Sequence, residues 1–493
     1  MSTILVNPPV VRSGGTESFF AWQKRQMTSR QYASMPMEHL GLASVAAYAD
    51  ALGVDVTVVN GMTSCHTSIE QTWEEIVAAA RRDGPPTLVG LSNIDTLDEV
   101  LVLAELARTE WPETAIALGN VFATLNYTEI LRRYPVIDHV VVGEGEASFT
   151  ALAVAMAEGA VAEPVPGVTS RGTGRPSVAT GAKPLDLDDL PWPDRRELPS
   201  VLRHGFAASV FTTRGCPYRC TFCGTGAMSA LLGRAGYREK SPENVVAEVE
   251  RLVRDFGVSF VSFVDDLFVG KHPVMQDRAR RIAQGLLGRR LDISFMIDIR
   301  VDSVVDLDLF RLLRRAGLRR VFIGIETGSR DQLLAYDKRT VRRQQDPATL
   351  LRQLDDLGIE VVPGTIMFHP TVTSDEVRQT ARLLRATGYE APRKFAGRVA
   401  AYPGTPLHAQ FAAAGHLVSE WPLGEWEFAD PAARRAYDRI VDFLDTHPEA
   451  THDDAEAYVH GVLDDWEAGS LDDPQPNAPP GDPDRAGMAA VAS

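Results

Sequence analysis

A chain of 493 residues exceeds one ordinary domain, so two domains and an appendage are expected. Its 66 acidic residues outnumber 50 basic ones for a net charge of −16, which argues against a phosphate-backbone partner such as DNA. The 44% apolar content includes no run able to span a bilayer and no basic-then-apolar leader, so a globular chain with no membrane partner is expected.

Within residues 1–165, strands alternate with helices. Residues 3–6 read as a strand running into Asn7-Pro8-Pro9, and 40–52 as an Ala/Leu-rich helix stopped by Gly53. Strands at 54–59, 88–91, 114–118 and 140–142 then alternate with helices at 68–82, 97–107, 127–133 and 148–158. Such repetition predicts an α/β fold with a doubly wound, Rossmann-like parallel sheet. Ligands of these sheets sit beyond the carboxyl ends of the strands, here at Asn7, Ser92-Asn93, Gly119-Asn120 and Gly143-Glu144-Gly145-Glu146. Glycine in the last two loops lets backbone approach a ligand, although a plain tight turn uses glycine equally well. Residues 14–30, with Phe19, Phe20 and Trp22, read as a loop or lid over the strand ends. His39 is expected to pack or face solvent, and Cys65-His66 reads as an incidental pair.

Residues 166–205 form an extended linker in which Trp192, between Pro191 and Pro193, is a docking group. From 206 to 410 the alternation resumes. Strands are expected at 207–213, 259–264, 293–299, 320–325, 360–368 and 393–400, with helices at 242–256, 274–287, 307–316, 330–334, 348–357 and 374–387. Trp421, Trp426 and Phe428, with helices at 431–444 and 452–466, predict a small helical cap over 411–470. The Asp/Pro/Gly/Ala-rich stretch 471–493 cannot bury apolar surface and is expected to be disordered.

Three of the four cysteines, Cys216, Cys220 and Cys223, fall within eight residues after the first strand of this second unit. So few cysteines, so placed, fit a reducing cytoplasm rather than a disulfide scaffold. Three clustered thiolates favour an iron–sulfur cluster with one iron left open. A structural zinc would need a fourth Cys or His, and on the C-terminal side the nearest is His272. The C-x3-C-x2-C spacing, with Phe222 just before the last cysteine, resembles the radical S-adenosylmethionine (radical SAM) superfamily. That resemblance implies a [4Fe–4S] cluster on the three cysteines. Its open iron would chelate S-adenosylmethionine, and reductive cleavage would give a hydrogen-abstracting 5′-deoxyadenosyl radical. It also implies a six-unit partial β/α barrel over 206–410, an electron donor such as flavodoxin or ferredoxin, and a small-molecule substrate.

Polar groups at the carboxyl ends of the barrel strands are the candidate site. They are Asp265-Asp266, Asp298, Arg300 and Asp302, Glu326-Thr327, His369 and Tyr402, although each alone also suits a helix cap or a solvated strand end. Gly324-Ile325-Glu326-Thr327 resembles the family's G-I-E-[ST] stretch, and Arg300 with Asp302 its R-x-D stretch. The resemblance therefore implies that Phe222, Glu326, Arg300 and Asp302 lie by S-adenosylmethionine, where a guanidinium suits a carboxylate. His369 stands where relatives carry G-x-P-G-E-T; with Asp265 and Tyr402 it is a candidate acid or base. The segment from Tyr402 through Pro403-Gly404-Thr405-Pro406 resembles the family's barrel-closing stretch.

The order Asn7-Pro8-Pro9, Pro36 to Leu42, Gly119 and Gly143-Glu144-Gly145-Glu146 resembles the cobalamin-binding domain that precedes many radical SAM cores. This implies cobalamin beside Asn7, Gly119, Gly143 and Glu144. The chain departs in lacking D-x-H-x-x-G, so no histidine is offered as a lower ligand, and in carrying Asn120 where relatives have a second glycine. Two functions then compete: a cobalamin-dependent C-methyltransferase of secondary metabolism such as antibiotic biosynthesis, and a radical dehydratase or epimerase acting on an amino sugar without cobalamin. A non-catalytic cobalamin sensor is a third alternative, against which the intact cysteine triplet stands.

Overall fold

The computed structural model describes residues 2–9, 38–61, 68–92, 97–159, 164–172, 184–232, 237–338 and 347–471. The loop at 14–30, Pro36-Met37, Cys65-His66, Asn93 and the stretch 472–493 lie outside them.

Strands β1 (Ser2–Asn7), β2 (Thr57–Asn60), β3 (Pro86–Ser92), β4 (Ala115–Gly119), β5 (His139–Val141) and β6 (Val168–Ser170) form the first sheet. Their order is β2-β1-β3-β4-β5-β6, parallel except for β6, which pairs antiparallel with β5. Helices cover both faces, so the strands are apolar on both sides. Ile4, Val6, Val89 and Ile116 face one core, and Leu5, Leu88, Ala117 and Val141 the other. The order reverses between β1 and β3, and a crevice opens at their carboxyl ends. Among the differences from the expected bounds, two have a clear local cause. Strand β6 lies in the segment read as linker, because three residues are too short to show alternation. Helix Val121–Arg133 starts six residues early, because the Asn120 side chain caps it by accepting from the Val121 N–H at 2.6 Å.

The second sheet holds β7 (Ala208–Val210), β10 (Phe260–Phe263), β11 (Ser294–Arg300), β12 (Leu318–Glu326) and β13 (Glu360–Thr365), all parallel, in the order β13-β12-β11-β10-β7. Between β7 and β10 the chain forms an antiparallel pair, β8 (Thr213–Gly215) with β9 (Tyr237–Glu239), which the sequence reading missed. A sixth barrel strand was expected at 393–400. Only a bridge between Phe368 and Arg398 forms there, after a 3₁₀ turn at Pro392–Ala396. Pro392 has no N–H to donate, and the Gly397 carbonyl accepts from both Met367 and Phe368, so no ladder develops. Helices Pro431–Thr446 and His452–Ala468 pack on a third core, which Leu471 also enters. Among the described residues no helix is long and apolar enough to cross a membrane.

Buried charges join the units. Arg195 of the linker segment pairs with Glu38, ahead of the first helix, at 2.8 Å, and with Glu248 of the barrel helix Pro242–Phe256 at 2.9 Å. Glu38 also accepts from the Ser209 N–H of β7, and Lys240 meets the second oxygen of Glu248. Trp192 docks as expected, its indole donating to Asn244 at 2.8 Å. Trp421 lies on Phe122 and donates to the Tyr134 hydroxyl, so the C-terminal segment grips the first domain. The side chains of Arg195, Glu38 and Glu248 are each 4% exposed or less, so losing one partner strands a charge away from water. Arg195→Met is expected to lower stability by about 3–5 kcal/mol, read by chemical denaturation. The combined change Glu38→Gln and Arg195→Met, which leaves Glu248 paired with Lys240, should recover most of the loss.

Candidate active site

The carboxyl ends of the two sheets face one cavity of about 420 Å³. From the first domain it is lined by the ends of β3 and β4, by Gly143 to Glu146 and by His39 to Leu42. From the barrel side Phe211, Arg214, Thr225, Arg238, Val264 and Asp266 close it.

On the first-domain side a slot runs down between helices Leu40–Ala51 and Gly145–Glu158 onto Leu5, Gly90, Ala117 and Phe149. A side chain at Gly90 would strike the Phe149 ring at 2.5 Å, whereas at Gly119 the nearest atom is 4.0 Å away, leaving that end of the slot open. Asn120 does not plug the space that sequence comparison placed it in. Its backbone takes a φ of 89°, and its side chain folds flat, donating from Nδ2 to Ser92 Oγ at 2.9 Å. His39 is neutral because burial pulls its pKa down to about 4. Its Nδ1 accepts from the Leu42 N–H at 3.2 Å, so Nε2 carries the proton and donates to Ser92 Oγ at 2.8 Å. Ser92 thus accepts twice, and its own hydroxyl proton is left for an acceptor in the cavity. Sequence reading missed this arrangement, since it saw His39 only as packing or solvated.

The wall between the halves is ionic. Register sets Arg214 of β8 opposite Arg238 of β9, and both guanidinia grip Glu144, Arg214 at 3.0 Å. Arg214 also pairs with buried Glu146, whose second donor is Ser44 at 2.6 Å. Burial would raise the Glu146 pKa, but the charge and hydrogen bond of Arg214 outweigh it and hold the group ionised. Gly143, with φ of 89°, turns its N–H onto Thr124 Oγ1 at 2.9 Å and brings Glu144 to this wall.

The cysteine loop follows β8 directly. Cys223 opens helix Gly224–Leu231, the Thr221 N–H donates to the Tyr336 carbonyl, and Phe222 packs edge-on against Tyr336 at 5.2 Å. Phe222 therefore anchors the loop to the third core. Burial pushes the Cys216 thiol up to about 11 and raises Cys220 as well. A structural zinc would need a fourth Cys or His beside these three, and the loop supplies three cysteines. A cluster of several irons needs its thiolates spread apart, and three half-buried cysteines on one loop fit that donor set.

Arg300 ends β11 beside this loop and pairs with Asp302 at 3.0 Å. Glu326 ends β12 after a bulge, with φ of 65°, and its carboxylate meets buried Lys338. Around the barrel, Met296, Asp298 and Arg300 point inward while Phe295, Ile297 and Ile299 face the helices. The strand neighbours of Asp298 are Phe322 and then Val362, so its carboxyl stands in an apolar layer. No hydrogen bond or ion pair reaches that carboxyl among the described residues. Burial first, then the charges of Asp265 and Asp266, push its pKa up to about 8.

Several expected positions lie elsewhere. Asp265 is fully buried, and its carboxylate accepts from the N–H groups of Thr212 and Thr213 and the Thr212 hydroxyl, so it shapes the end of β7 and is not an accessible acid. Its neighbour Asp266 reaches the cavity instead, taking the Thr225 hydroxyl at 2.9 Å. His369 faces a separate cleft with Ser329, Thr373 and Glu376, its Nε2 3.5 Å from Glu376, because the loop after β13 turns it toward helix Ser374–Ala386. Tyr402 does not line the cavity; its segment docks on the first domain, where the Pro403 carbonyl accepts from Asn126. Asn7 pairs with Asn60 at 2.8 Å, outside the cavity lining.

Two family models match the chain: the B12 binding domain over residues 32–153 and the Radical SAM superfamily over 210–384. An uncharacterized methyltransferase, PH0819 of Pyrococcus horikoshii, is 24% identical over 77% of this chain and 80% of its own length. The anaerobic magnesium-protoporphyrin IX monomethyl ester cyclase of Rubrivivax gelatinosus is 27% identical over 79% of this chain and 68% of its own. The structure of OxsB, a cobalamin-dependent S-adenosylmethionine radical enzyme with aqua-cobalamin and S-adenosylmethionine bound, superposes with a TM-score of 0.70 at 18% identity, covering 95% of this chain and 71% of that one. At that identity the likeness is one of fold. The cofactors that follow from the two matched models are a [4Fe–4S] cluster with S-adenosylmethionine for the core and cobalamin for the first domain. The open slot with its free Ser92 hydroxyl and the thiol loop fit both. With these matches added to the three cysteines after β8, the chain belongs to the radical SAM superfamily, with a B12 binding domain in front of its core.

Proposed function

We propose that this chain is a cobalamin-dependent radical C-methyltransferase that acts on a small molecule of secondary metabolism. The observation that carries the reading is the single cavity, which the slot-bearing strand ends of the first domain share with the barrel side at Val264 and Asp266. When bound, cobalamin supplies a transferable methyl group, and the cluster with S-adenosylmethionine supplies hydrogen-atom abstraction. The residues of the chain bind, orient and exclude water. Gly119 leaves room for a flat ring system, and Ser92 offers it a donor. Glu144, Arg214 and Arg238 seal the wall between the halves, and apolar Val264, Phe322 and Val362 keep the barrel dry around Asp298. A methyltransferase among the relatives supports the reading.

One observation favours a second reading, radical-initiated loss of water or ring closure. Asp298 is a carboxyl held largely protonated at neutral pH in an apolar layer, where it can hand a proton to a leaving oxygen. A cyclase stands among the relatives as well. Cells fed methionine with a deuterated methyl group separate the two. The metabolite that disappears on deletion of the gene should carry three deuterium atoms; an unlabelled metabolite rejects methyl transfer and leaves the second reading.

Hydroxocobalamin retention tests the slot. Ser92→Ala removes one donor and should weaken binding about five-fold, the equivalent of about 1 kcal/mol. Gly119→Leu should abolish retention, and both variants should keep full iron content. Asp298 gives a pH signature. Its folded pKa lies above the ordinary 3.8, so folding favours the protonated form and stability falls as pH rises through the window from about 4 to about 8. Asp298→Asn should flatten that part of the fall, measured as denaturation midpoints at pH 6 and pH 8.

A further inference from the structure

Arg300 is 7% exposed, and three groups of the protein hold its guanidinium. Its Nη1 donates to Cys220 Sγ at 3.3 Å. Its plane lies 3.6 Å over the ring of Tyr218, which belongs to the same cysteine loop. Its Nε donates to Asp302 at 3.0 Å. Sequence comparison expects this arginine at the carboxylate of S-adenosylmethionine, but the geometry turns it toward sulfur. Among the described residues, Cys216 and Cys223 receive no comparable side-chain donor. The other buried cation of the region, Lys338, is engaged by Glu326.

We propose that Arg300 is a tuning and positioning residue of the iron–sulfur cluster, raising its reduction potential through the N–H···S bond to Cys220 and fixing the loop by stacking on Tyr218. One-electron reduction, by an external low-potential donor of the flavodoxin or ferredoxin class, adds one negative charge to a centre already ringed by thiolates. A cationic donor on one sulfur stabilises the reduced form more than the oxidised form, and hydrogen bonds to the sulfurs are a principal control of such potentials. Tyr218 and Asp302 supply what a flexible arginine lacks on its own, a fixed plane and a fixed direction. The inference rests on the cluster assignment and is independent of the methyltransferase reading.

The test is an EPR-monitored redox titration of the anaerobically reconstituted full chain without S-adenosylmethionine. Relative to wild type, Arg300→Gln should lower the midpoint potential and Arg300→Lys should lower it less. Tyr218→Leu keeps the arginine but releases its plane, and should shift the potential in the same direction. Adding S-adenosylmethionine to the reduced proteins reads the competing role, because its binding changes the cluster spectrum. Arg300→Gln should keep its apparent affinity within about three-fold. An unmoved potential in Arg300→Gln, or a collapse of affinity without a shift, overturns the proposal. If Arg300→Gln fails to take up iron, an unmoved potential in iron-replete Tyr218→Leu overturns it equally. Wild-type protein that takes up no iron would instead refute the cluster assignment.

Discussion

The arrangement depends on a guanidinium two residues before the first cluster cysteine. Arg214 reaches out of β8 to Glu144 and Glu146, which belong to the loop that opens the last helix of the first domain. Glu146 is out of reach of bulk water and needs its cation, whereas Glu144 is partly exposed; breaking the buried pair while leaving its charge behind costs about 3–5 kcal/mol. The pairing therefore fixes both how close the two sheets come and which strand ends meet. Because β8 continues directly into the cysteine loop, the contact that seats the first domain also seats the loop. Arg238, held opposite Arg214 by the β8–β9 pairing, shares the load at Glu144 and makes the wall rigid in two directions.

Local chemistry was legible in the sequence, and long-range geometry was not. The three cysteines and the strand–helix alternation are short-range signals, and the alternation appears as expected except for the sixth barrel strand. Strand β6 and the β8–β9 pair are three residues per strand, below the length at which a period of two can be seen. His369 illustrates a second limit. Its position after β13 was read correctly, but its direction depends on Glu376, seven residues on and itself part of a helix capping box. Asp265 and Asp266 illustrate a third: two adjacent, identical residues at a strand end point to opposite environments, so one is structural and the other reaches the cavity. Asp298 carried a usable signal, since alternation along Phe295-Met296-Ile297-Asp298-Ile299-Arg300 puts a carboxyl on the inward face of an apolar strand.

Charges of both signs lie around the thiols and within the barrel, and each has a physical consequence. Beside the thiols lie two cations that carboxylates hold in place, Arg300 with Asp302 against Cys220 and Lys338 with Glu326 facing the loop, and one acid, Asp266, next to Cys216. Asp266 reaches the cavity and takes one hydroxyl donor, while Asp298, outside the cavity lining, receives none among the described residues. Three thiolates on a reducible centre carry negative charge that grows on reduction, so cations belong at that end. An ionised carboxylate beside the thiols opposes reduction, so the cations there also offset Asp266, whereas Asp298 in apolar surroundings stays largely protonated. The same low polarity that raises Asp298 also strengthens the hydrogen bond at Cys220, since both act in a water-poor interior. One dry barrel thus separates an electron-accepting end from a proton-holding end on a single strand, β11, with Asp298 and Arg300 two residues apart. That spacing keeps both side chains on the inward face. A one-residue slip in β11 would turn both toward the helices and remove the two functions together.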